Sequence, residues 1–208
     1  VWDDDGNRDG VRPVSVVVHL LADGKINQTV VLNASNSWKY TFANLLVYNN
    51  GKKIKYNFSE DVVDKYTVSY DNKTVDNFTI TNTHVPEVTS VNVTKVWDDD
   101  GNRDGVRPVS VVVELYADGK FNATYTLTAA DEWKHTFDNL LVYNNTKKIK
   151  YTVVEIVNNG IYSVVVSNST PYDFAVNKSH SALKTSFIVA EVSVDDGNRD
   201  GVRPVSVV

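Results

Sequence analysis

Residues 3–18, DDDGNRDGVRPVSVVV, recur letter for letter at 98–113, an offset of 95, and a third copy of the motif begins near Asp195. Working outward, the same offset pairs Trp38 with Trp133, Phe42 with Phe137, NLLVYNN at 44–50 with 139–145, and Glu60 with Glu155. Periods of roughly 20–50 residues signal solenoid units, whereas about 95 residues suffice for a β-sandwich that buries its own core. The chain therefore reads as tandem domains, with boundaries placed at 1–85 for a repeat lacking its first strand, 86–181 for a complete repeat and 182–208 for the start of a third, degenerate one. The stretch His84-Val85-Pro86-Glu87 marks the first junction, since proline cannot donate to a strand ladder and biases its neighbour toward extended backbone.

Each unit reads as strands. Val91, Val93, Lys95 and Trp97 alternate with polar residues, Val109–Leu115 is a β-branched run, and Ile149, Tyr151, Val153 and Glu155 alternate again. Asp23-Gly24 and Asp118-Gly119 lie between such runs as hairpin turns do, because glycine adopts positive φ at little cost. Sustained helical periodicity is missing, and about seven strands per unit suit an immunoglobulin-like sandwich.

Composition narrows the function. The 208 residues carry a net charge of -5, with neither Cys nor Met. The lack of Met at position 1 marks the segment as part of a longer polypeptide, and no disulfide can staple it. Lys and Arg form no cluster that could follow a phosphate backbone, which excludes nucleic acid as a partner. Nor is there an apolar run of about 18 residues to span a membrane. Asn-x-Ser/Thr sequons at Asn27, Asn33, Asn57, Asn72, Asn77, Asn92, Asn122, Asn144, Asn168 and Asn177 fit glycosylation of an exported protein, or equally the polar decoration of strand faces in an Asn-rich chain.

Taken together, TKVWDDDGNRDGVRPVSVVVELYADG, EWKHTFDNLLVYN and KIKYTVVE resemble the collagen-adhesin B-type repeat of microbial surface adhesins and pilin-like stalks. The resemblance implies tandem all-β, immunoglobulin-like (inverse-Ig or prealbumin-like) sandwiches. It also implies a spontaneous isopeptide bond between a strand-A Lys and an Asn on the last strand, with an intervening Glu as proton shuttle. By position Lys95 is the nucleophile and Glu155 the shuttle. Strand parity points both inward, where burial lowers a Lys pKa and raises a Glu pKa. The alternative is a buried Lys–Glu ion pair, or a Lys snorkelling from the rim.

The acceptor divides the two units. In the first, FTITN puts Phe78, Ile80 and Asn82 on one face, with Glu60 as shuttle and the Lys position one residue before Val1. In the second, FAVNK gives Asn177 the 95-residue offset but the wrong parity, while Lys178 takes the matching place. A one-residue insertion near Asn159-Gly160 and a deletion before Asn177 explain both facts, and a bulge is then needed to turn Asn177 inward. A bond from Lys95 to Asn177 closes a loop of about 83 residues, for roughly 4–5 kcal/mol by the chain-entropy model. In the third copy Glu191 and Ser193 stand where Lys95 and Trp97 do, which leaves it without the chemistry.

The acidic motif offers a second site. Asp5, Asn7 and Asp9, and again Asp100, Asn102 and Asp104, match the D-x-N-x-D-G opening of a calcium loop. The twelfth position, where an EF-hand needs a carboxylate, holds Val16 or Val111. The alternative is a turn whose Asp and Asn side chains bond backbone amides, with Arg12 or Arg107 pairing an Asp. Catalysis on external substrates finds no support: the four His are scattered, and nucleophile elbows and phosphate-binding Gly loops are missing. Two function classes follow. One is a structural spacer on an extracellular cell surface or wall, with neighbouring repeats as partners. The other is a module that itself binds a host matrix protein, a glycan or calcium, for which exposed aromatics would argue.

Overall fold

A computed structural model describes residues 1–74, 77–156 and 160–190. The third copy from Glu191 onward, including Ser193, together with Asn159 and the side chains of Asn72 and Asn77, lies outside that description. In chain order the first unit holds β1 (Trp2–Asp3), β2 (Ser15–Ala22), β3 (Lys25–Asn33), β4 (Tyr48–Asn49), β5 (Lys52–Lys53), β6 (Tyr56–Glu60), β7 (Thr67–Thr74) and β8 (Asn77–Thr83). The second holds β9 (Val88–Asp98), β10 (Ser110–Ala117), β11 (Lys120–Thr128), β12 (Lys134–Leu141), β13 (Tyr143–Asn144), β14 (Lys147–Lys148), β15 (Tyr151–Ile156), β16 (Ser163–Thr170) and β17 (Asp173–Ser179). The only helical pieces among the described residues are two 3-10 turns, Ala34–Asn36 and Ala129–Asp131. The fold is all-β, and the units are tandem sandwiches.

In the second unit, the three-stranded sheet β11-β10-β15 faces the four-stranded sheet β12-β9-β17-β16. The β-branched run of β10 buries Val111, Val113 and Leu115 while its alternate residues face outward. β9 does the same with Val91, Val93 and Lys95, and β17 with Phe174, Val176 and Lys178. A period of two along each strand thus turns one face of each sheet into the core. Val93, Val113, Leu115, Leu127 and Val176 are closed to solvent, and each contributes about 1.5–3 kcal/mol by burial. The Asp118-Gly119 turn has φ of 49° and 77°, and Asp23-Gly24 has 51° and 80°. Positive φ at both central residues gives the mirror-image turn whose twist matches that of its flanking strands.

The first unit repeats the sheet β3-β2-β6 and the arrangement β1-β8-β7, but residues 39–46, equivalent to β12, form no strand. β12 is held by β9 through pairs running from Lys134↔Thr94 to Leu141↔Val88. The first unit has in this chain no counterpart of Val88–Lys95, so that segment finds no ladder. The hydrophobic core cluster accordingly lies in the second unit. In both units the first and last strands run parallel, with Trp2 opposite Asn82 and Trp97 opposite Lys178.

Candidate functional site

That register decides which polar side chains meet inside the second unit. Because Lys178 lies opposite Trp97 as Asn82 lies opposite Trp2, the counterpart of Asn82 is Lys178 and not Asn177, the residue 95 positions after Asn82. Phe174, Val176 and Lys178 point into the core, while Asn177 sits across from the outward-facing Val96. The Asn177 amide donates to Ser167 Oγ at 3.3 Å and to the Ala175 carbonyl at 3.5 Å. The structure therefore does not bring Asn177 to Lys95. β17 runs without a bulge between Phe174 and Ser179, so nothing restores the missing parity. From Tyr66/Tyr162 onward equivalent residues are 96 apart, as His84 and His180 show by their matching bonds to Asp3 and Asp98. The expected deletion before Asn177 is not there.

Lys95 and Glu155 do meet. Lys95 Nζ lies 3.8 Å from Glu155 Oε2, with both side chains sealed from solvent, and it donates to the carbonyls of Val176 at 3.0 Å and Val96 at 3.1 Å. Lys178 Nζ donates to Glu155 Oε1 at 2.5 Å. Two cations therefore share one carboxylate in the core, beneath the Trp97 ring that Lys95 Nζ approaches to 4.3 Å. Burial lowers the Lys95 pKa to about 8, with Lys178 pushing the same way and Glu155 opposing. A neutral amine is a nucleophile, but the position facing it holds a second lysine, which offers no carbonyl carbon.

The first unit is the complement. Asn82 is buried, its Nδ2 donates to Glu60 Oε1 at 3.1 Å, and the Asn82 oxygen Oδ1 and the second Glu60 oxygen Oε2 are buried without a hydrogen-bond partner. Burial raises the Glu60 pKa against the opposing bond from Asn82. The residue in line for the Lys95 position precedes Val1.

The acidic motif is built as a turn. Asp4, not among the motif's calcium-pattern residues, is buried and accepts from Arg12 Nε at 2.8 Å, from the Tyr66 hydroxyl at 2.8 Å and from the Asn7 amide at 2.9 Å. Asp99 repeats this with Arg107, Tyr162 and Asn102. The Arg12 and Arg107 bonds, more than their burial opposes, hold Asp4 and Asp99 at about 2. Most of the side chains read as calcium ligands have partners of their own, although Asp9 Oδ1 is buried without one. Asp5 pairs with Arg8 and Asp100 with Arg103. Asn7 and Asn102 accept from the amides of Arg12 and Arg107 at 2.9 Å. Asp9 and Asp104 turn away to His84 and His180. Among the described residues no three His, Asp or Glu side chains gather as a metal cage.

The four tryptophans are half-buried and pair with one another, whereas Tyr40, Tyr48 and Phe121 are exposed. Trp2 and Trp38 meet edge to face at 5.1 Å, as do Trp97 and Trp133 at 5.0 Å, an arrangement that favours ring pairs. Sequence reasoning missed Asp4, Asp99 and the two histidines. The last were legible only through the shift from a 95- to a 96-residue offset, which made His84 and His180 look unrelated.

Sequence comparison settles the family. Residues 1–83 and 91–178 match the Cna protein B-type domain. The chain belongs to this family. Over all 208 residues it is 40% identical to a collagen adhesin of Staphylococcus aureus, of which it spans 17%. It resembles a single B repeat unit of the collagen-binding surface protein of that organism, at 39% identity, 88% of this chain, 95% of that one and a TM-score of 0.45. Against the pilus backbone of Streptococcus pneumoniae the identity is 15%, over 81% of this chain and 42% of the other, with a TM-score of 0.33. The two Staphylococcus aureus relatives are a collagen adhesin and a collagen-binding surface protein. No helix among the described residues is long and apolar enough to cross a membrane.

Proposed function

We propose that this chain is a structural spacer from the stalk of an extracellular, cell-surface adhesin, and that it is not an enzyme. The observation that carries this reading is the fate of the polar side chains. Lys95 and Glu155 are sealed from solvent, and the tryptophans face other rings, so chemistry-bearing groups serve the cohesion of each unit. Binding of a host matrix protein or glycan belongs, on this reading, to other parts of the parent adhesin. The test is adsorption of this chain to immobilised collagen and to glycan arrays. A spacer gives no saturable binding; saturable binding by the chain alone would replace the spacer with an adhesive module.

The finer reading is that the first unit crosslinks when a lysine stands immediately before Val1. The neutral amine attacks Asn82 Cγ, the new C–N bond forms as the old one breaks, and Glu60 passes the proton that lets ammonia leave. Support comes from the Asn82–Glu60 contact of 3.1 Å and the unpartnered Asn82 oxygen. Intact mass of protein extended by that lysine should fall by one ammonia, about 17 Da. An unshifted mass removes the crosslink while leaving the spacer standing.

A further inference from the structure

The two acidic motifs share a feature that neither a calcium site nor an internal turn explains: each ends on an aspartate that reaches past its own unit. Asp9 Oδ2 accepts from the Glu87 amide at 2.7 Å and faces His84 Nε2 at 2.9 Å. The other His84 nitrogen faces the Lys65 carbonyl at 2.8 Å. Since both ring nitrogens meet acceptors, the doubly protonated ring satisfies both. Burial works against that cation, but the bonds to Asp9 and Lys65 and the charges of Asp9 and Asp4 outweigh it, and the His84 pKa is raised. The same bonds recur one unit later, where Asp104 Oδ2 faces His180 Nε2 at 3.0 Å and accepts from the Leu183 amide at 2.9 Å.

The first motif also touches the second unit itself. The Arg8 carbonyl accepts from the Thr146 amide at 2.7 Å, and a Cβ on Gly10 would lie 3.0 Å from the Thr146 side chain. Thr146 sits in the hairpin turn between β13 and β14, at a φ of 67°. At Gly105 a Cβ would meet nothing within 4 Å among the described residues, although its φ of 67° is close to the 72° of Gly10.

We propose that each DGNRDG loop is a docking latch for the following repeat, in which the terminal Asp clamps the connecting segment and the loop backbone seats the β13–β14 turn of the next unit. The partner is thus another copy of the same module, received through a surface that is part of the repeated motif itself. Paired domains move relative to each other unless the junction holds them, and here the Glu87–Asp9 and Thr146–Arg8 hydrogen bonds and one glycine contact hold it. The inference rests on the spacer reading and adds to it that successive repeats meet at one fixed angle.

The test uses the full chain, whose lack of cysteine allows Gln28→Cys and Lys120→Cys to carry one spin label in each unit. The distance distribution between the labels should be narrow, should become roughly twice as wide with Asp9→Ala, and should stay narrow with Asp104→Ala, which makes the same chemical change outside the first junction. Gly10→Ala should shift the mean distance while Gly105→Ala, with its similar backbone cost, should not. A broad distribution in the parent chain, or equal responses to Asp9→Ala and Asp104→Ala, overturns the latch and leaves the spacer reading to its own binding test.

Discussion

Replacing Lys178 by Asn should convert the second unit from an ion-paired core into a crosslinked one. The register puts residue 178 opposite Trp97, the place Asn82 holds opposite Trp2, and Lys178 already contacts Glu155 at 2.5 Å with Lys95 3.8 Å from the same carboxylate. Lys178→Asn therefore brings an amide carbon to a buried amine whose pKa is lowered to about 8, beside the carboxyl that would shuttle its proton. A bond from Lys95 to residue 178 closes a loop of about 84 residues, and the chain-entropy model assigns it about 4.5 kcal/mol. For a domain of this size that raises the melting temperature of the second unit by roughly 20–35 °C. The assay is intact mass, which should drop by about 17 Da, followed by a branched tryptic peptide joining β9 to β17 and by calorimetry. Lys178→Met removes the second cation without supplying an acceptor, so it isolates relief of charge repulsion from crosslinking. Lys178→Asn combined with Glu155→Ala should keep its ammonia. An unchanged mass in Lys178→Asn after prolonged incubation would show that the identity of residue 178 is not what withholds the bond.

Two further outcomes follow from the same groups. Lys95 titrates lower in the folded chain than its ordinary 10.5, so between about 8 and 10 the unfolded chain holds more protons and stability rises with pH. Urea midpoints of the parent chain should climb from pH about 8 to 9.5, and those of Lys95→Met should stay flat; parallel slopes would refute this assignment. Arg107→Ala leaves Asp99, its side chain 1% exposed, without its main partner and should cost about 1–3 kcal/mol at neutral pH. Because Asp99 sits depressed at about 2, its contribution is complete above 3.8 and disappears as pH falls through about 2. The variant should lose structure at higher pH than the parent in an acid titration followed by tryptophan fluorescence, and coincident acid midpoints would contradict the role given to Arg107.

Much of the fold was legible in residues 3–18 and their copy. A β-branched run such as Val111–Leu115 can bury alternate side chains only as a strand, and Asp-Gly between two such runs names its turn. Parity read Lys95, Glu155 and Asn82 inward because a strand has only two faces, and the structure places all three there. The same rule put Lys178 at the matching place in β17. Repeat spacing favoured Asn177, and that signal misled because a residue gained between Glu155 and Tyr162 moves everything after it by one. The acidic motif was harder. Asp5, Asn7 and Asp9 have the spacing of cation ligands, but their carboxylates and amides find Arg8, Arg12 and His84 instead, and the last of these is 75 residues away, a contact no local pattern encodes.

The parallel pairing of β9 with β17 runs through seven residue pairs, from Asn92 opposite Asp173 to Asp98 opposite Ser179. Tension along the chain enters the second unit at the start of one of these strands and leaves at the end of the other, so it slides the pair lengthwise in shear. All the ladder bonds then carry load at once, where a hairpin pulled from its open end would unzip them one by one. Lys95 and Lys178 reach from these same strands to Glu155 on β15 of the facing sheet, so their buried ion cluster ties the sheared pair to the opposite layer.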